Sequence, residues 1–163
     1  MLKDSIVQRL KGFYMRGFNE NGYKYDPRYK SEILARNKSP IYASLDWLRD
    51  HNVVSEKDIL TFNVVKEYRN TLAHEILSFL ESKELFDDFE KRFVMLIELL
   101  YKIEVWWIYN VEIATDPDFD GKEIDEKEIV PGQNLIIKLL LEIGLGDKTT
   151  SESYYKEFKK YMK

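Results

Sequence analysis

Arg69-Asn70-Thr71-Leu72-Ala73-His74 is the segment of this 163-residue chain whose residue types could do chemistry. An arginine offers a permanent planar fork for a phosphate or carboxylate. A histidine can move a proton near neutral pH, because an unperturbed imidazole titrates near ~6.5. An asparagine can orient either group. Together these suit stabilisation of a charged phosphorus centre with proton transfer beside it.

The spacing limits how they can cooperate. Around an ideal helix with Val65 at zero, Arg69 falls near ~40°, beside the stripe of Val65, Tyr68, Leu72, Ile76 and Phe79. Asn70 and His74 fall near ~140° and ~180°. Arg69 is thus expected at the edge of the core, with His74 on a distant flank. About 140° separates Arg69 from His74, so one straight helix does not bring them onto one phosphate. Either the helix is distorted there or two copies face each other. The bland alternative makes His74 a surface residue and Arg69 the partner of Asp46, Asp50 or Glu98.

The elements that must position these residues read as helices. The first spans 2–18, with Ile6, Leu10, Phe13, Met15 and Phe18 near helical spacing, and ends over Asn19 to Gly22. Asp26-Pro27 and Ser39-Pro40 each place a capping residue before proline, opening helices over 27–37 and 40–51. His51 closes the second. Ser55 to Asp58 forms a capping box that opens a helix to about 82.

The helix over 84–114 has the clearest pattern. Phe86, Phe89, Phe93, Leu96, Leu100, Ile103 and Trp107 repeat at intervals of three and four, a seam for a neighbouring helix. Val94, Met95, Ile97, Leu99, Val105 and Trp106 widen it, so this helix is central or meets a second subunit. An acidic connector occupies roughly 115–130, and Pro131-Gly132 precedes a helix over 135–143 that stops at Gly144. Thr149 to Glu152 is a second capping box, opening a terminal helix whose stripe is Tyr155, Phe158 and Tyr161. No strand alternation is evident. The expectation is one all-α domain over 1–163, an up-and-down bundle of about five main helices plus a C-terminal helix.

Arginine, a polar residue, three further residues and histidine, set within a long amphipathic helix, resemble the HEPN domains, a family of small all-helical proteins. The resemblance covers the helical core, roughly 1–112. Many such domains are RNases of toxin–antitoxin, abortive-infection and CRISPR-associated systems; others only bind partners or nucleotides. The resemblance implies metal-independent RNA cleavage, in which the 2′-hydroxyl attacks the adjacent phosphorus and leaves a cyclic phosphate. It implies catalytic roles for Arg69, Asn70 and His74, no cofactor, and a homodimer whose two motifs share a cleft. The alternative it carries is a non-catalytic dimer that binds an antitoxin or nucleotidyltransferase partner.

Composition narrows the remaining classes. The chain has no cysteine, which excludes a disulfide scaffold, a thiolate metal site and a cysteine nucleophile. An aromatic share of 14% speaks for a packed core rather than disorder. No apolar run approaches the ~20 residues that cross a bilayer, and the N-terminus lacks an apolar signal core, so the default location is cytoplasmic. The net charge of −4 does not fit a strongly basic nucleic-acid binder. Only the first 50 residues are basic, with ten Lys/Arg against six Asp/Glu, and Arg28, Lys30, Arg36 and Lys38 could form a local basic face.

Asp116, Asp118 and Asp120, followed by Gly121, match the first half of a calcium loop. The second half fails, because Lys127 stands where a bidentate glutamate is needed. A solvated acidic loop is the better reading. Trp47, Trp106 and Trp107 could stack on bases, but their helical spacing favours core packing.

Overall fold

The computed structural model describes residues 1–20, 22–74 and 83–145, together with Ser153, Lys156 and Lys159. A π-helical turn, Asp4–Gln8, runs into α1, Arg9–Phe13. A hairpin of β1, Met15–Asn19, and β2, Gly22–Tyr25, follows. A second π-helical turn, Tyr29–Leu34, leads to α2, Pro40–Asp50, and then to α3, Glu56–His74. The long helix α4, Lys83–Trp107, continues into a third π-helical turn, Ile108–Ile113. Two short 3-10 turns, Pro117–Phe119 and Glu126–Glu128, precede α5, Gly132–Leu145. The architecture is an all-α bundle with one short two-stranded sheet.

That sheet corrects the expectation of a helix to residue 18 with no strands. The helix ends at Tyr14, and Phe13, Met15 and Phe18 are exposed rather than packed on a helical face. The physical reason lies in Gly17 and Gly22, poor helix formers, interleaved with the strand-favouring aromatic residues Phe18, Tyr23 and Tyr25. Gly22 has φ +103°, and Gly17, at φ +149°, sits where the register slips by a bulge. Both positions suit a residue without Cβ.

The two proline-led starts differ in detail. Asp26 Oδ1 accepts the Arg28 N–H at 2.9 Å, as a cap should. Ser39 precedes Pro40 as expected, but its hydroxyl makes no capping bond. Instead the Asn37 side chain accepts the Ser39 N–H. The box at Ser55 closes reciprocally: Asp58 N–H donates to Ser55 Oγ at 3.2 Å, and Ser55 N–H donates to Asp58 Oδ2 at 2.7 Å. Helix α5 begins at Gly132 and continues one residue beyond Gly144. Residues 75–82, with Ile76 and Phe79, lie outside the described residues, as do the second capping box and Tyr155, Phe158 and Tyr161.

The core gathers Ile6 and Leu10, Ile33, Leu45 and Leu48, Val53, Phe62, and Leu99, Ile103 and Trp107. Helices α3 and α4 run antiparallel, tied by Lys102 Nζ to Asp58 at 2.5 Å near one end and by Arg92 over the Tyr68 ring farther along. The seam of α4 is buried at Leu100, Ile103 and Trp107 but half-buried at Phe89, Phe93 and Leu96. On its other side Glu104 and Val105 are also buried, so the C-terminal half is enclosed on more than one face.

Glu104 is 1% exposed. Its carboxylate accepts Arg9 Nε at 3.2 Å, Arg9 Nη2 at 2.5 Å and Gln133 Nε2 at 3.3 Å. Removing one partner of a buried pair strands the other charge, at a cost of about 3–5 kcal/mol. Arg9→Met is therefore expected to lower stability by about that amount in urea denaturation, whereas a loss below about 1 kcal/mol would deny the pair this role.

Asp26, also buried, accepts from the Arg28 side chain and backbone and from Arg16. These bonds outweigh burial and hold its carboxyl well below the usual carboxylate range. The stabilisation is present above the usual carboxylate titration, near ~3.9, and is lost as pH falls through the lowered folded value. Acid titration of the melting temperature should show this loss in the native chain, and Asp26→Asn should flatten it.

Candidate functional site

Arg69, Asn70 and His74 are all exposed on the last turns of α3. Arg69 Nη1 donates to Asn70 Oδ1 at 3.2 Å, so the two neighbours are already joined. The exposure of Arg69 corrects its expected place at the core edge. The wheel gives direction around the helix axis but not distance along it. Phe62 and Val65 are buried, and no later described residue of α3 is. The core ends one turn before the arginine, so a core-facing direction opens into solvent. Tyr68 and Leu72 are accordingly only half-buried.

The acids considered as partners of Arg69 do not pair with it. Asp50 pairs with Arg36 and Arg49, and Asp46 with Arg49 at 3.5 Å. Among the described residues Arg69 makes no ion pair. Among the described residues its guanidinium keeps donors without an acid partner.

Antiparallel packing defines what lies beside the motif. Tyr68 meets Arg92, so Arg69 to His74 run alongside the N-terminal part of α4. There Phe89 is half-buried, and on the turns that follow toward the core Phe93, Met95, Leu96 and Ile97 are half-buried and Val94 is 48% exposed. Charged Asp88 and Arg92 stand among them, paired at 3.6 Å. The motif thus shares its end of the α3–α4 pair with an incompletely covered apolar surface. Asn70 and His74 remain on a different flank from Arg69, because α3 is helical through His74.

The acidic loop is ordered by its own backbone. Asp116 Oδ1 accepts the Asp118 N–H at 2.9 Å, and Gly121 turns the chain at φ +72°. Among the described residues no group of three His, Cys, Asp or Glu side chains is arranged to hold a metal ion. Asp116, Asp118 and Asp120 therefore remain a solvated turn. The candidate basic face is also weakened, because Arg28 pairs with Asp26 and Arg36 with Asp50. No helix among the described residues is long and apolar enough to cross a membrane.

His51 terminates α2 as expected. Its Nδ1 lies 2.8 Å from the Trp47 carbonyl, and its ring stacks on Trp47 at 3.7 Å. Trp47 and Trp107 are buried and Trp106 half-buried, in keeping with packing roles. What sequence reasoning missed is the Arg9–Glu104 pair, separated by 95 residues. The only local signal was a glutamate inside the most apolar stretch of α4.

No family model matches the chain, and no curated protein or solved structure matches it.

Proposed function

We propose that this protein is a metal-independent endoribonuclease of the kind its motif resembles, working as a homodimer in a toxin or defence setting. The observation that carries the reading is the exposure of Arg69, Asn70 and His74 together on one helix end, with the Arg69 fork held by Asn70 and no acid partner among the described residues. Three polar side chains of these types, free of the core, are accessible to a bulky polyanion.

The chemistry follows from the groups. The RNA 2′-oxygen attacks the adjacent phosphorus as its proton leaves, and the P–O5′ bond breaks. The 5′-oxygen takes up a proton, leaving a 2′,3′-cyclic phosphate and a 5′-hydroxyl. His74 serves one of these proton transfers. Arg69 balances the extra negative charge on the phosphoryl oxygens. Asn70 orients the arginine that it already touches. Since about 140° of helix separates Arg69 from His74, the complete site uses Arg69 of one copy and His74 of another. The partly covered apolar surface of α4 beside the motif supports such an association.

A second reading is a non-catalytic partner-binding protein. The exposed Leu135, Ile136, Leu140 and Ile143 of α5 favour it, because contiguous exposed apolar residues mark interaction surfaces.

Incubating the purified protein with single-stranded RNA in EDTA separates the two. Cyclic-phosphate ends are expected, with the rate falling at least ~100-fold in Arg69→Ala and His74→Ala, the scale of a lost acid–base or charge-stabilising group. Both positions are exposed, so melting should stay within about 0.5 kcal/mol of the native chain. Absence of cleavage, or equal cleavage by the variants, overturns the enzyme and leaves the partner-binding reading.

A further inference from the structure

The hairpin carries an apolar face that the bundle leaves open. Phe18 stands directly opposite Tyr23, and Met15 opposite Tyr25. Tyr23 and Tyr25 are two residues apart on β2, so they share one face of the sheet. The bulge between Met15 and Gly17 adds a residue to β1. It brings Met15 round to the face of Phe18, three positions along the chain. The face runs from Tyr25, which packs on Tyr29 at the base, to Phe18 and Tyr23 near the turn. Phe18 is 82% exposed and Tyr23 67% exposed, and Met15 and neighbouring Phe13 are exposed as well.

Among the described residues neither strand packs broadly against a helix. A two-stranded hairpin is marginal in water unless something packs on its apolar side. Exposed apolar side chains that adjoin one another in this way mark an interaction surface.

Charge identifies the partner. The chain carries a net charge of −4, yet the hairpin region is basic. From Leu10 to Lys30 the cations are Lys11, Arg16, Lys24, Arg28 and Lys30, against the acids Glu20 and Asp26. Two arginines share Asp26, each through Nε and Nη2. The trio therefore stays positive by one charge, and Nη1 of each guanidinium has hydrogens left to give. These arginines, with Phe13 and Met15, line a shallow hollow of about 310 Å³ beside the apolar face. Lys11 lies 5.1 Å over the Tyr25 ring at the base. Lys24 is exposed on β2 between the two tyrosines.

An apolar face among cations complements a surface that is anionic outside and oily beneath. A single-stranded nucleic acid is served by a cationic groove in which bases stack. Here the aromatic residues sit on a projecting hairpin, and Phe13, Met15 and Phe18 bring no polar group to a base edge. The exposed apolar residues of α5 lack this charge signature, because Lys138 and Glu142, the charged residues of that helix, are of opposite sign.

We infer that the hairpin docks this protein on an anionic lipid bilayer. Phe18 and Tyr23 enter the interfacial layer, where an aromatic ring with one wet end is well placed. Arg16, Lys24 and Arg28 meet the lipid phosphates and carboxylates. Phe13 lies 6.1 Å from Trp107, at the end of α4 away from Arg92 and the motif. The inference does not depend on cleavage at Arg69 and His74.

Co-sedimentation of the full chain with vesicles tests it. Saturable binding is expected to an equal mixture of phosphatidylcholine and phosphatidylserine, with much weaker binding to phosphatidylcholine alone. Added salt should reduce it, because exposed charges are screened. Lys24→Ala should weaken binding about fivefold, the worth of one lysine near an anionic surface. Phe18→Ser should weaken it about tenfold. Both positions are exposed, so the melting temperature should hold and separate lost binding from lost folding. Leu140→Ser, on α5, and Arg69→Ala should bind like the native chain. Absence of binding to the mixed vesicles overturns the inference, as does undiminished binding by both Phe18→Ser and Lys24→Ala. So does a loss that falls on Leu140→Ser instead, or Phe18-dependent binding of single-stranded RNA in place of vesicles.

Discussion

The Glu104 carboxylate is the point on which the described fold turns. It sits inside the most apolar helix, 1% exposed, and needs neighbours that supply hydrogen and charge. Arg9 provides both from α1, and Gln133 adds a donor from α5. Arg9 also reaches Glu112 in the turn after α4. One buried charge thereby fixes the relation of the first, fourth and fifth helices. Hydrophobic burial around Ile6, Leu10, Leu100 and Ile103 could tolerate some sliding, but a stranded carboxylate could not.

That anchor lies at the C-terminal end of α4, and the consequences run along the helix. Leu99 to Trp107 are enclosed, with half-buried Trp106 and exposed Tyr101 and Lys102 as openings. From Asp88 to Glu98 no side chain is buried. Helix α3 behaves in parallel, buried at Phe62 and Val65 and open beyond. The two helices therefore leave the core together, carrying Arg69, Asn70 and His74 on their exposed end. The proposed activity needs this arrangement, because a strand of RNA reaches side chains at such an end without opening the core. It also needs a second copy, since the helix through His74 keeps the arginine and histidine on separate flanks.

Much of the fold was legible in residue spacing. The capping box at Ser55, the proline start at Pro40, the long helix through Trp107 and the break before Gly132 all follow from local rules. The hairpin at 15–25 was missed because the apolar spacing of Phe13, Met15 and Phe18 imitates a helix, while the contrary signal was the pair of glycines, Gly17 and Gly22, among strand-favouring aromatic residues. The site was legible in type but not in depth. A helical wheel placed Arg69 on the core-facing side, and only the third dimension shows that the core has ended by then. The Arg9–Glu104 pair and the packing of Trp47 on Trp107 join residues far apart in the chain, which no local pattern encodes.

The central claim is that Arg69 of one copy and His74 of another form one site. Mixing Arg69→Ala with His74→Ala under conditions that let subunits exchange tests it most directly, with the native chain as reference. The account predicts that each variant alone fails to leave cyclic-phosphate ends on RNA and that the mixture regains part of the native rate. A mixture as inactive as its parents, beside a native chain that cleaves, would contradict it.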